Sequence, residues 1–279
     1  GREAIANAER LFHHRRGQGG TPPIQVEQIM HQMRLAVDRV MGEGSLYAPH
    51  LAALALKQAA GDTLEAAFLV RAYRSTLPRL GYSPPLDTGG MRVRRRLSAA
   101  FKTIPGGQIL GPTPDYSLRL LDFDLFEETE EDFRRRATEL LGRCIGGADL
   151  PDRFPKVVEL LRRENLLAPR PPDRPGTEPF DVTREALRFP APRSAALQTL
   201  ARGETGGLLA LAYSNMRGYG AVHPTVGELR VGTLDLVVPH PATGEPQKAG
   251  EVLVTEAEVI AHAGVEADGP RFSLGYGLC

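Results

Sequence analysis

Apolar residues recur with a helical period through the first hundred positions and with strand-like alternation only towards the C-terminal end. Residues 1–16 form a short amphipathic pattern ending in His13, His14, Arg15 and Arg16. Past the loop GQGGTPP, Thr21 is placed to cap a helix and Pro22 to open it. That helix carries Val26, Ile29, Met30, Met33, Val37, Val40 and Met41, and Gly42 and Gly44 stop it. HLAALALKQAAGD predicts a second helix. Asp62 caps a third, with Glu65 at the capping-box position and a stripe of Ala66, Leu69, Val70, Tyr73 and Leu77 that Pro78 closes.

MRVRRRLSAAFKTI predicts a further helix on Val93, Leu97, Ala100, Phe101 and Ile104. EETEEDFRRRATELL is a surface helix with Glu130–Arg134, Glu131–Arg135 and Asp132–Arg136 at i,i+4 spacing. From Ala168 to Arg193 prolines crowd into an extended linker, the best domain boundary in the chain. A helix around SAALQTLARG follows. GELRVGTLDLVVPH and GEVLVTEAEVI then read as paired antiparallel strands turning at PATGEPQ. The fold class is therefore α+β, with a helical N-terminal half and an antiparallel β-containing C-terminal half. Three regions follow: helical 1–126, a charged helix and Pro-rich linker at 127–192, and an α+β region at 193–279, incomplete at its C-terminus.

Composition narrows the functional classes. The chain has 279 residues and balances 34 Lys and Arg against 34 Asp and Glu, so no global field draws it to nucleic acid or membrane. The Arg-rich stretch alone does not make a nucleic-acid interface without a basic stripe. Two distant cysteines, Cys144 and Cys279, fit a reducing compartment. With no apolar span and no signal peptide in view, the cytoplasm is the expected location. The helical opening at Gly1 and the apolar ending SLGYGLC read as a piece cut at both ends.

Three stretches hold candidate chemistry. GGQILGPT spells a P-loop with Pro112 where Lys belongs, and a helix-like lead-in rather than a strand precedes it, so the Walker reading fails. Gly106, Gly107 and Gly111 still allow a backbone phosphate nest ending at Thr113. Arg71 and Arg74 lie three apart and can point at one spot; a solvated face is the plainer reading. Arg92, Arg94, Arg95 and Arg96 make either a local anion site or simple surface charge. NMRGYGAVHPTVGELR gathers Arg217, Tyr219, His223, Glu228 and Arg230 among glycines, a mixture suited to anion binding and proton transfer, or to an ordinary hairpin entry. No metal-ligand spacing, nucleophile elbow or dinucleotide fingerprint appears.

The phrases LAVDRVMGEG, LAALALKQAAGD, EAAFLVRAYRSTL, PLDTGGMR, IPGGQILGPTPDY, RLLDF, LLALAYSNMRGYG, HPTVGELR, GEVLVTEAE and SLGYGL occur in order. Together they resemble the PhnI family, a core subunit of the bacterial carbon–phosphorus lyase system of phosphonate metabolism. The resemblance spans nearly the whole chain and thins at Glu127–Pro192. It implies nucleosidase-like chemistry, in which a phosphonate oxygen displaces adenine from MgATP at ribose C1′ to give a ribose 1-phosphonate 5-triphosphate. An iron–sulfur radical subunit then cleaves that product. It also implies a core complex with the G, H and J subunits, two copies of each. Family members carry a spaced His pair, implicated in a zinc site at the J contact, in a segment beyond GYGL that this sequence lacks.

Such a substitution needs a carboxylate to stabilise an oxocarbenium-like state, an acid for the leaving base, and Arg and N–H donors for the triphosphate. Asp38, Asp87, Asp115, Glu228, Glu251 and Glu256 are the carboxylates within those phrases. Glu228 is the first choice and Asp87 the second, and His223 is the candidate acid. Arg71, Arg74, Arg217 and the Gly106–Thr113 loop are the candidate phosphate contacts. The competing reading is a scaffold subunit that lends a surface to a site completed by its partners.

Overall fold

The computed structural model describes residues 1–81, 83–98, 120–143, 155–169, 176, 178–202, 225–266 and 269–278. Five helices come first: α1 (Arg2–Gly17), α2 (Val26–Gln32), α3 (Arg34–Gly44), α4 (Pro49–Gln58) and α5 (Thr63–Ser75). The expected start at Thr21 does not occur. Successive prolines at 22 and 23 hold the residues before them extended, and Gln25 caps α2 instead, its N–H donating to Gln28 Oε1 at 2.8 Å. The single long helix expected there is two, because Met33 leaves helical geometry at φ −111°, ψ 40°. Asp62 does cap α5, accepting from Leu64 N at 2.9 Å and Glu65 N at 3.2 Å.

Ile29, Val37, Val40, Met41, Ala52, Ala53, Leu56, Ala66 and Val70 form the helical core. Alanines on α4 and α5 let the axes approach, and each fully buried Val contributes about 1.5–3 kcal/mol. Tyr73 and Leu77, expected in the stripe of α5, stay exposed.

MRVRRRLS is a strand, not a helix: β1 spans Arg92–Ser98. Cross-strand pairing overrides the local helical period here. It pairs antiparallel with β2 (Thr225–Pro239), which pairs with β3 (Pro246–Glu266), which pairs with β4 (Gly269–Leu278), giving the order β1-β2-β3-β4. The β2–β3 hairpin turns where expected, with His240 N donating to Glu245 O at 2.8 Å and Gly244 at φ 74°.

Between β1 and β2 in sequence lie α6 (Glu130–Arg143), α7 (Val157–Arg163) and α8 (Arg193–Arg202). On α6 the expected Glu130–Arg134 pair forms, whereas Arg135 chooses Asp132 and Arg136 lies near Asp122 and Glu128. The described part of the Pro-rich stretch is tied down. Phe180 N donates to Ser194 Oγ at 3.1 Å, and Arg202 Nη1 donates to Val182 O at 3.2 Å.

Alternation splits β3 between two neighbours. Leu253 packs against the helical core of α2–α5. Ile260, of the other parity, packs against Val157, Leu160 and Leu161 of α7. The face that α7 covers holds the candidate site.

Candidate functional site: a buried ionic layer beside an exposed turn

Two charged rungs cross the face under α7. Register places Arg96 opposite Arg230 and Arg230 opposite Glu256, and on the next rung Ser98 opposite Glu228 and Glu228 opposite Glu258. Arg96, Glu228 and Glu258 are 0 % exposed and Arg230 and Glu256 2 %. Like charges directly opposed on a sheet repel, so the side chains reach diagonally and outward. Arg96 Nε donates to Glu228 Oε1, and its Nη2 donates to Pro155 O at 2.6 Å.

The start of α7 completes the layer. Val157 N donates to Glu228 Oε2 at 2.9 Å and Val158 N to Glu258 Oε2 at 3.2 Å. Lys156 Nζ lies 2.9 Å from both oxygens of Glu256. The carboxylates thus take up N–H groups that a helix start leaves without intrahelical partners. In this layer Arg96 pairs with Glu228, and Lys156 and Arg230 with Glu256, while Glu258 takes the Val158 N–H.

From this layer two donors reach one turn. Lys156 Nζ donates to Thr88 Oγ1 at 2.8 Å and Arg230 Nη2 to Thr88 O at 3.1 Å. Thr88–Gly90 is a single 3₁₀ turn, and Asp87 opens it, its Oδ1 accepting from Gly89 N at 2.8 Å. Asp87 itself is exposed. The two candidate carboxylates therefore belong to one construction but differ in access. Asp87 faces solvent, while Glu228 is sealed with both oxygens engaged.

Of the other expected residues, Arg71 and Arg74 fall elsewhere. Arg71 donates to Glu43 O at 2.8 Å and ion-pairs with the Glu43 carboxylate. Arg74 donates to Thr183 O at 3.2 Å, so these neighbours on α5 serve separate partners. Gly106, Gly107, Gly111, Thr113, Arg217 and His223 lie outside the described residues. The four-arginine stretch is no single anion site. As a strand it divides: Arg92 meets Asp235 and Glu251, Arg96 meets Glu228, and Arg94 and Arg95 act on Asp38 of α3. Burial raises Asp38 above the usual carboxylate range, against the pull of Arg34, Arg94 and Arg95. Among the described residues no group of three or more His, Cys, Asp or Glu is placed to hold a metal ion, and no helix is long and apolar enough to cross a membrane.

The family model for PhnI, described as bacterial phosphonate metabolism protein, matches residues 1–279. The chain belongs to the PhnI family. It is 57 % identical to a Stutzerimonas stutzeri protein named as C-P lyase subunit HtxH, an alignment covering all of this chain and 75 % of the relative. It is 45 % and 46 % identical to proteins of Rhizobium meliloti strain 1021 and Escherichia coli strain K12, again over all of this chain and over 73 % and 76 % of theirs. Both are named alpha-D-ribose 1-methylphosphonate 5-triphosphate synthase subunit PhnI.

In this PhnI-family chain the sequence reading missed Arg96, Lys156, Glu256 and Glu258 as parts of one layer. The available signal was Glu-x-Arg in GELR and Glu-x-Glu in TEAEV, charges two apart inside β-branched runs. That spacing puts each pair on one face of a strand. Burial, with the neighbouring Glu228 and Glu256 charges, pushes Glu258 up to about 8, against Lys156 and the Val158 N–H. The folded chain thus holds a proton that an unfolded chain releases near 4.5, so stability falls as pH rises from about 4.5 to about 8. Glu258→Gln is expected to abolish that decline in urea midpoints measured across the window. A variant that keeps the slope would assign it to another group.

Proposed function

We propose that this chain is a subunit of a carbon–phosphorus lyase core complex, acting with G, H and J subunits to displace adenine from MgATP by an alkylphosphonate. The observation that carries this reading is the family match along all 279 residues. A phosphonate oxygen bonds to ribose C1′ while the C1′–N bond breaks. The bond's electron pair leaves with the adenine nitrogen, which takes one proton from an acid, with His223 in that role. Magnesium enters with the triphosphate of the substrate, which Arg217 and the Gly106–Thr113 loop would receive. The zinc that the family resemblance implies has no ligand group among the described residues.

The α configuration in the relatives' names, set against the β linkage of ATP, means inversion at C1′. Inversion fits one displacement without a glycosyl–enzyme intermediate, so the carboxylate acts by its charge rather than as a nucleophile. Asp87, exposed and oriented by Gly89 N–H, suits that role. Glu228 suits support from beneath.

The burial of Glu228 with both oxygens engaged also favours a second reading, in which the chain is a scaffold and the reacting groups come from partners. Adenine release from MgATP and methylphosphonate separates the two. The complex is reconstituted with the chain, without it, and with Asp87→Asn. Release that needs the chain and fails with Asp87→Asn supports the catalytic reading. Release unaffected by Asp87→Asn leaves the scaffold.

A further inference from the structure

We propose that Lys156 and Arg230 are positioning residues that hold the Thr88 turn from beneath and so fix the carboxylate of Asp87. This rests on the reading of Asp87 as the carboxylate that faces the ribose.

The turn has little to hold it in place by itself. A three-residue 3₁₀ segment makes few internal hydrogen bonds, and residues 83–85 ahead of it are exposed. Its C-terminal end runs through buried Met91 into β1. Its other tie to the sheet is Thr88, whose hydroxyl takes Lys156 Nζ at 2.8 Å and whose carbonyl takes Arg230 Nη2 at 3.1 Å. Lys156 is held by Glu256, and Arg230, buried on the central strand β2, has its Nη1 3.9 Å from Glu256 Oε1. One residue before Thr88, the Asp87 carboxylate is aimed by Gly89 N–H. Gly89 is buried, so the turn cannot swing without unseating it.

The consequence is catalytic geometry. A carboxylate that stabilises charge at C1′ must hold its place to a fraction of an ångström, and a displacement near 1 Å costs on the order of a hundredfold in rate. Loosening the turn therefore slows the chemical step without weakening the grip on substrate. Lys156 comes from the segment at 127–192, to which the sequence pattern assigned no chemistry.

The test uses the reconstituted complex, MgATP and methylphosphonate, and reads kcat, KM for MgATP and Tm. Thr88→Val removes the acceptor of Lys156 at nearly constant volume, and Thr88→Ser keeps it. Thr88→Val is expected to lower kcat on the order of tenfold with KM nearly unchanged. Thr88→Ser restores kcat, and both variants keep Tm close to that of the unsubstituted complex. Lys156→Met serves as the second variant if Thr88→Val does not assemble. It loses at least as much kcat and, unlike Thr88→Val, also lowers Tm, because it takes the nearest cation from buried Glu256. In the double variant the loss of kcat is no greater than in Lys156→Met alone, because Thr88→Val removes only the Lys156–Thr88 contact that Lys156→Met already lacks. Equal losses in Thr88→Val and Thr88→Ser, or a rise in KM at constant kcat, overturn the proposal. So do Thr88→Val and Lys156→Met with full kcat where Asp87→Asn is inactive, and in that case the reading of Asp87 survives. Full activity in Asp87→Asn instead overturns that reading, and the proposal with it.

Discussion

Asp87→Asn is expected to lower kcat for adenine release in the assembled complex by about 10²–10³-fold, the usual cost of removing one preorganised charge-stabilising group. The substitution is conformationally mild. An Asn Oδ1 still accepts from Gly89 N, so the turn at Thr88–Gly90 keeps its cap. What disappears is the negative charge that, on the proposed reading, faces the positive charge developing at C1′. Thermal unfolding of the variant should therefore match the unsubstituted chain. A loss of activity with an equal loss of Tm would signal a folding defect instead.

The second large effect concerns stability. Arg96→Met is expected to cost about 3–5 kcal/mol, because it leaves Glu228 buried with its counter-charge removed. Arg96 and Glu228 are both 0 % exposed, so water cannot take over either role. The damage extends to α7, since Arg96 also holds Pro155 O and Glu228 holds Val157 N. The double substitution Arg96→Met with Glu228→Met should recover most of the loss, as apolar replacements of buried ion pairs commonly do. Urea unfolding of the two singles and the double measures the coupling. Strict additivity would refute a direct pair.

Much of the fold is legible in the sequence. The α5 cap at Asp62, the β2–β3 hairpin and the stop after Gly42 and Gly44 follow from capping and turn chemistry, which act locally. The strand at Arg92–Ser98 was not legible. Val93, Leu97 and the apolar residues beyond also fit a helix, and only the distant partner β2 selects the extended form. That error hid the layer, because an arginine-rich helix shows one charged face whereas an arginine-rich strand shows two. Asp87 and Glu228 were singled out as carboxylates in separate phrases. Their connection through Thr88, Lys156 and Arg230 depends on contacts more than sixty residues apart in the chain, beyond what any local pattern encodes.

The rungs beneath α7 also act as a check on strand alignment. If β2 slid by one residue against its neighbours, Glu228 and Arg230 would turn to the opposite face, away from the start of α7. Greasy strands with interchangeable valines and leucines would tolerate such a slip at modest cost. Here the slip strands charges in an apolar setting, so one alignment stands far below its alternatives. A layer that adds little net stability can still decide which sheet forms.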